Sequence, residues 1–367
     1  MNQDIDLLAI AGVGTTFLLS GVAKLNDPRG FAYKIEEYLH LLVSQLTARI
    51  RLLVPYTLAL AIGIATLEVV LGVAMLVRWQ YFWTLWTLLL LTFFFTLLTL
   101  YTALSRRMAS CGCFGDALVL TPWQSFLKSV VLLCILGGLC WQANDVPTGL
   151  NSHYGMVVAL LSSLGLSRYT LKHLPLLDFL PYGIESDLKE LVQLRLPFRY
   201  GDMAARSKVQ ESRYHPKVSS WQFMSVLSFT HQETYAANPL SIWQGKKKCT
   251  PTLLTGHKLL IISQYPATLT TRTLQNLYAL IRSLKKALQP ILLVPSNQEK
   301  EAAKTLALPI YTAHPLLLRT MLRAELGLLL LSDGIVVNKW NFNDLKQVRK
   351  TLNRMDLLSR VSIARLL

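Results

Sequence analysis

Four long apolar runs between Leu7 and Ala143 restrict the fold of this chain more than any other feature of its sequence. A membrane-spanning helix needs about 20 consecutive, mostly apolar residues. Tryptophan and tyrosine mark the start of the third run and both ends of the fourth, as they do where helices cross a membrane interface. The runs predict four spans, at Leu7–Lys24, Leu52–Val77, Tyr81–Leu104 and Trp123–Trp141.

Two further segments belong to this membrane region. Ser152–Leu166 is apolar but short and contains serines, so it predicts either a fifth span or an interfacial helix, of which we favour the span. In Asn26–Arg49, apolar residues recur every three or four positions from Phe31 onward. This spacing predicts an amphipathic helix that lies on the bundle or at the membrane interface.

The composition separates the chain into two halves. Hydrophobic residues make up 52% of the 367 residues and charged residues 16%, against about 25% charged in ordinary soluble domains. Residues 176–367 nevertheless read like a globular protein and carry +13 of the net charge of +16. A basic domain beside a bilayer suggests contact with anionic headgroups. Nucleic acid is disfavoured as a partner, because the basic residues are scattered and we find no nucleic-acid motif.

Five spans would place the Asn26–Arg49 loop, the Ser105–Pro122 loop and the C-terminal domain on one side of the membrane. Most lysines and arginines of the membrane half flank that side, and the positive-inside rule would therefore place it in the cytoplasm. A disulfide in the Ser105–Pro122 loop would require the opposite, oxidising side. The two indications disagree, and the residues alone leave the side of the membrane open.

The sharpest local motif is Cys111-Gly112-Cys113-Phe114-Gly115-Asp116. Gly112 can adopt a positive φ and so bring the two thiols together in a tight turn. A disulfide between Cys111 and Cys113 would close a small strained ring and be easily reduced. Two thiolates could instead bind a soft metal, or Cys113 could simply pack as a small apolar residue. The spacing leaves these alternatives open, and we assign no metal site.

Ionisable groups inside the predicted spans form the second candidate feature. Glu68 lies near the middle of the second span, where a carboxylate must face the bundle and find a partner or a proton. Lys24, at the end of the first span, is the obvious partner. The pair predicts either a functional site or an interhelical contact that fixes the bundle. We interpret Cys134 and Cys140, inside the fourth span, as packing residues.

Three stretches resemble the DoxX-like/MauE (methylamine-utilisation) membrane family over about residues 5–145. They are Ser20–Leu25 with Asp27–Phe31, Glu68 followed by Gly72, and Cys111–Gly115 continued by Leu120–Trp123. The resemblance implies a four-helix membrane module distantly similar to quinone-linked, disulfide-generating membrane proteins. It also implies a role in disulfide formation or in the maturation of exported partners.

The C-terminal half resembles the thioredoxin-like fold over about residues 255–355. Its periodicities predict the order β-α-β-α-(β)-α-β-β-α, with helices at Thr270–Leu288 and Pro315–Glu325 and a hairpin turn at Ser332-Asp333-Gly334. The stretch after the first strand, Ser263–Thr268, contains no cysteine, and Arg323–Gly327 lacks the proline such enzymes carry. The resemblance therefore implies a binding or scaffolding domain without thiol–disulfide activity, in which Cys249 is inert.

The sequence thus predicts an α-helical membrane bundle of four to five transmembrane helices followed by an α/β thioredoxin-like domain. We expect a membrane module at residues 1–145, a fifth helix and linker at 146–200, and the soluble domain at 201–367. The chain would be a multi-pass protein of the inner (cytoplasmic) membrane. Its function would be redox support through Cys111 and Cys113, with a quinone as a possible cofactor, or scaffolding, with a protein bound to the soluble domain. A transporter using Glu68 and Lys24 is a third hypothesis.

Overall fold

The structure, a computed structural model, describes residues 3–43, 53–105, 112–118, 120–141, 153–189, 240–305 and 308–358. Within these residues the chain divides into two compact units. The first contains the chain up to Leu171 together with Pro175–Phe179, and the second contains Lys172–Leu174 and the chain from Leu180 onward. The predicted boundaries at residues 145 and 200 lie outside the described residues.

The first unit is a helical bundle. Four of its helices are long and apolar enough to cross a membrane, at Asp4–Asn26, Leu53–Leu76, Tyr81–Ser105 and Pro122–Trp141, with mean hydropathies of 1.8, 2.3, 2.0 and 1.6. These helices confirm the four predicted spans. The elements are α1 (Gln3–Asn26), α2 (Pro28–Val43), α3 (Thr57–Leu76), α4 (Tyr81–Ser105), β1 (Cys113–Asp116), α5 (Pro122–Trp141) and α6 (His153–Lys172).

Helices α1 and α3 approach each other through glycine. A Cβ atom on Gly72 would lie 2.6 Å from the backbone nitrogen of Leu18, and one on Gly21 would lie 2.7 Å from the carbonyl oxygen of Ala65. Small residues allow helix backbones this close in membrane bundles, where van der Waals packing replaces the hydrophobic effect as the driving force. The close approach brings side chains one helical turn away on each helix within reach of each other.

Helix α2 begins at a capped end. The side-chain Oδ1 of Asp27 accepts a hydrogen bond of 2.8 Å from the backbone nitrogen of Gly30, and Pro28 occupies the first turn. Both features favour a helix start at this point. Phe31 and Ala32 are buried, as the amphipathic pattern predicts. The remainder of the predicted amphipathic segment, residues 44–49, lies outside the described residues.

Helix α6 is 20 residues long and is not among the four apolar helices. Its buried face is small and polar, with Ala159, Ser163, Ser167 and Thr170. One end contacts the turn after α3, where the rings of His153 and Trp79 lie 5.8 Å apart. At the other end, Thr170 donates a hydrogen bond of 3.0 Å to the carbonyl oxygen of Leu25. Helix α6 therefore contacts the bundle near both of its ends, and a fifth span at this position stays a prediction.

The second unit is a seven-stranded sheet with helices. The strands stand in the order β3-β2-β6-β5-β4-β7-β8; β4, β5 and β6 are parallel, while β7 is antiparallel to β4 and β8 to β7. The elements are β2 (Ile242–Gln244), β3 (Lys247–Lys248), α7 (Thr250–Leu253), β4 (His257–Ser263), α8 (Thr271–Ser283), β5 (Leu288–Pro295), α9 (Glu299–Thr305), β6 (Ile310–Ala313), α10 (Pro315–Met321), β7 (Leu326–Ser332), β8 (Ile335–Asn341) and α11 (Leu345–Arg354).

The predicted α/β architecture of this unit is confirmed, with two differences in helix length. Helix α8 ends at Ser283, short of the predicted end at Leu288, because Leu288 is already the first residue of β5. Helix α10 ends at Met321 rather than Glu325. At its start, Nδ1 of His314 accepts a hydrogen bond of 3.2 Å from the backbone nitrogen of Leu316, and burial lowers the pKa of His314. The lowered pKa favours the neutral ring that this acceptor role requires.

The hairpin predicted at Ser332-Asp333-Gly334 joins β7 to β8. Asp333 and Gly334 both have positive φ, 50° and 87°, which suits the twist of a tight hairpin. Leucines and isoleucines of the central strands are fully buried on both faces of the sheet, which gives the unit two apolar core layers. Continuous apolar runs are typical of such central strands.

Candidate functional site

The cysteine motif forms a tight loop after α4. Gly112 and Gly115 have φ of 69° and 58°, and the backbone nitrogen of Gly115 donates a bond of 3.0 Å to the carbonyl oxygen of Gly112. Glycine adopts such values without strain. Cys113 starts β1 and is partly buried. Cys111 lies outside the described residues, so a disulfide between Cys111 and Cys113 stays a prediction.

Lys24 and Glu68 form the ion pair that the sequence suggested. The Nζ of Lys24 lies 2.5 Å from Oε1 and 2.6 Å from Oε2 of Glu68, and the two side chains are 3% and 2% exposed. The rings of Phe31 and Phe95 lie 5.0 and 5.5 Å from the same nitrogen. Burying two charges is costly, and close contact between them offsets much of that cost.

Ser20 connects this ion pair to the cysteine loop. Its hydroxyl accepts a hydrogen bond of 3.1 Å from Nζ of Lys24 and lies 2.9 Å from Oε2 of Glu68 and 2.7 Å from the carbonyl oxygen of Cys113. Since a hydroxyl donates only one hydrogen, it bonds either to the carboxylate or to the carbonyl at any moment. The sequence stretches that contain Ser20 with Lys24, Glu68 and Cys113 therefore lie within hydrogen-bond distance of one another.

A cavity of about 180 Å³ lies at this meeting point. An engineered apolar cavity of about 150 Å³ holds a benzene molecule, so this one has room for a single six-membered ring. Its wall is mostly aromatic and aliphatic, with Phe17, Phe31, Phe94 and Phe95 among the lining residues. The polar groups in the wall are Thr16, Ser20, Lys24, Tyr38, Glu68, Thr92, Thr99, Cys113, Lys128 and Ser129.

Lys128 is also a member of the site, although by sequence alone it is one of the basic residues that flank the spans. It lines the cavity from α5, and its Nζ lies 4.7 Å from the centre of the Phe114 ring. The available signal was its position six residues after Pro122, about 9 Å along the helix axis and thus inside the fourth span. A cation at that depth is a functional hypothesis by default.

The other cysteines lie away from the cavity wall. Cys134 is exposed on α5, Cys140 is partly buried near the end of the same helix, and Cys249 is buried in the second unit. The Sγ of Cys249 lies 3.6 Å from the carbonyl oxygen of Lys247, within its own hairpin. Among the described residues there is no group of three or more His, Cys, Asp and Glu side chains that could hold a metal ion.

In the second unit, the stretch after β4 is closed by hydrogen bonds. The side-chain amide of Gln264 donates a bond of 2.9 Å to the carbonyl oxygen of Leu322, and its backbone nitrogen donates one of 2.8 Å to the carbonyl oxygen of Glu325. Gln264 is 3% exposed. This stretch is where the thioredoxin resemblance would place a nucleophile, and here it is bonded to the loop before β7.

Comparison with known proteins gives a family match for the helical bundle. Residues 2–142 match the model of a protein family described as methylamine utilisation protein MauE. These residues contain α1 to α5 and every residue lining the cavity. No curated protein and no solved structure matches the chain. The chain is thus similar to MauE proteins over its membrane-spanning region.

Proposed function

We propose that this MauE-like membrane protein supports thiol–disulfide redox chemistry, with Cys111 and Cys113 as the exchanging pair. The observation that carries the proposal is that Cys113 lines the same cavity as the buried Lys24–Glu68 pair. Oxidation of the two thiols forms one S–S bond and releases two electrons and two protons. The acceptor in this proposal is a quinone, which takes up both and becomes the quinol.

The lining of the cavity suits the ring of such a carrier. Aromatic side chains can stack on a flat ring, while the ammonium group of Lys128 offers hydrogen-bond donors to carbonyl oxygens. Glu68 is the carboxylate among the described residues of the wall, and it lies beside the same space. These residues would bind and orient the ring beside the cysteine loop.

The proposal requires the cysteine loop to face the oxidising side of an inner (cytoplasmic) membrane, because cytosolic thiols are kept reduced. The test is labelling with a membrane-impermeant maleimide in intact cells, before and after reduction. It uses a variant in which Cys134, Cys140 and Cys249 are replaced by serine. We expect labelling of Cys111 and Cys113 only after reduction.

Purified membranes extend this test. After reduction and removal of the reductant, added short-chain quinone should restore the disulfide, and Cys111→Ser or Cys113→Ser alone should abolish the oxidised band. Two permanently reduced thiols in the native membrane would contradict the redox proposal. Labelling that requires broken membranes would contradict the outward orientation.

A second candidate function, scaffolding, is favoured by the second unit. From β4 to α11, the order of strands and helices along the chain is the one that the thioredoxin resemblance implies, and the bonds of Gln264 close the position of the missing nucleophile. We propose that this unit binds a protein partner without exchanging disulfides. Photo-crosslinking from exposed positions of the full-length protein would test it; turnover of a disulfide substrate by a chain lacking Cys111 and Cys113 would contradict it.

A further inference from the structure

The charges around the cavity do not cancel. The described side chains that line it include two ammonium groups, Lys24 and Lys128, and one carboxylate, Glu68. Glu68 contacts Lys24 through both of its oxygens, so the charge of Lys24 is compensated within the pair. Among the described residues, Lys128 lies within ion-pair distance of no carboxylate, and its described neighbour is the ring of Phe114.

We infer that Lys128 is a positioning residue that favours the thiolate form of Cys113, and so raises the reactivity of that cysteine. Phe114 follows Cys113 directly in β1, and its ring lies beneath the ammonium group. The contact therefore holds the positive charge next to the cysteine loop, and Lys128 and Cys113 line the same cavity. A nearby cation favours the thiolate, which is the nucleophile in disulfide exchange.

The other charged and titratable groups around Cys113 do not replace Lys128 in this role. From α1 and α3 come the paired Lys24 and Glu68, and β1 itself contributes Asp116, whose charge opposes the thiolate. From α2 come Tyr38, which lines the cavity, and Lys34, which packs against Gly112 and lies 3.3 Å from Glu37. The residues of α4 in the wall are threonine, phenylalanine and leucine.

An alternative explanation for Lys128 is that its chain extends along α5 so that the ammonium group reaches the lipid headgroups. The two explanations differ in what the charge affects. A lysine that only reaches the headgroups would influence insertion or stability. A lysine that stabilises the thiolate would change the pH dependence of Cys113 chemistry, and arginine would substitute for it.

The test measures the alkylation rate of Cys113 against pH in the full-length protein in detergent micelles. Cys111, Cys134, Cys140 and Cys249 are replaced by serine, so that Cys113 is the one thiol that reacts. We expect Lys128→Gln to slow alkylation about tenfold at pH values below the midpoint of the parent profile, as loss of one neighbouring charge can shift a pKa by about one unit. The midpoint of the profile should move to higher pH, and the rates should converge at alkaline pH.

Lys128→Arg should restore the parent profile, and Arg168→Gln, which removes an exposed cation of α6 outside the cavity, should leave it unchanged. Lys128→Met gives the same test if Lys128→Gln does not fold. Superimposed profiles for the parent and Lys128→Gln, or an equal shift for Arg168→Gln, would overturn the inference.

The role of Lys128 rests on the proposed function, but separate experimental outcomes would contradict the role of Lys128 and the redox proposal. Alkylation of a single thiol requires no disulfide, no quinone and no membrane orientation. A shifted profile together with permanently reduced cysteines in cells would overturn the redox proposal and keep the role of Lys128. A native disulfide together with unshifted profiles would do the reverse.

Discussion

In the helical bundle, the buried ammonium of Lys24 and the buried carboxylate of Glu68 face a cavity. In the α/β unit, the buried amide of Gln264 is bonded to backbone carbonyls of a neighbouring loop. Both arrangements satisfy polar groups that are removed from water, as folding requires. The first leaves charges beside space that a ligand can fill, while the second leaves a buried amide bonded within the fold. The contrast supports the proposal that the bundle carries chemistry and that the α/β unit binds a partner.

The largest expected effect is on the ion pair of the bundle. Glu68→Gln should lower the free energy of unfolding by about 3–5 kcal/mol, because it leaves the charge of Lys24 buried without a counterion. Titration of the full-length protein with SDS, followed by circular dichroism, measures the change. The double variant Lys24→Met/Glu68→Leu removes both charges and should recover most of the stability. If the double variant recovers folding and also retains cysteine oxidation, the ion pair has a structural role only. The proposed chemical role of these two charges would then be wrong.

The second prediction concerns the close approach that creates the pair. Gly72→Ala should destabilise the bundle by about 2 kcal/mol, since the new Cβ would have to displace the backbone of α1 at Leu18. The matched control is Gly63→Ala in the same helix, because a Cβ there meets no atom within 4 Å. The same SDS titration should show little change for the control. Equal effects at the two positions would mean that the α1–α3 contact does not set the geometry of the site.

The smallest expected effect lies in the α/β unit. Gln264→Ala should destabilise this unit by about 1 kcal/mol, because it removes a buried hydrogen bond to Leu322. Faster hydrogen exchange in β4 and in the loop before β7 would show the loss. Gln275→Ala, an exposed substitution on α8, should have no effect. Cysteine oxidation should be unchanged in both variants. Slower oxidation in Gln264→Ala would contradict the proposal that the α/β unit takes no part in the redox chemistry.

The bundle was predictable because hydrophobic length is a local property. Each apolar run predicts its own span without knowledge of the others, and the structure has helices at all four positions. Helix ends were less predictable. Leu284 and Leu288 continue the apolar pattern of α8, yet Leu288 pairs with His257 in the parallel ladder of β4 and β5. Strand pairing over a long sequence separation, which a local pattern does not contain, decides that boundary.

Parts of the candidate site could be named from the sequence but not assembled. Lys24 and Glu68 were paired in advance because a buried charge needs a partner. The hydroxyl of Ser20, which links that pair to the carbonyl of Cys113, could not be predicted, since residues 20 and 113 are joined by the packing of α1 against the loop. The contact between Lys128 and Phe114 could not be predicted either, because it depends on where α5 starts after β1.

The sequence by itself determined that this chain has a membrane-spanning helical region and a basic α/β region, because hydropathy and periodicity are written residue by residue. It also identified glycines, charges and cysteines whose chemistry is unusual for their surroundings. The tertiary structure alone decided that Lys24, Glu68, Gly112, Cys113 and Lys128 line one cavity. It also decided that, among the described residues, Lys24 has a carboxylate partner there and Lys128 has none. The physical reason is that charge compensation depends on distances between helices, and close packing fixes those distances.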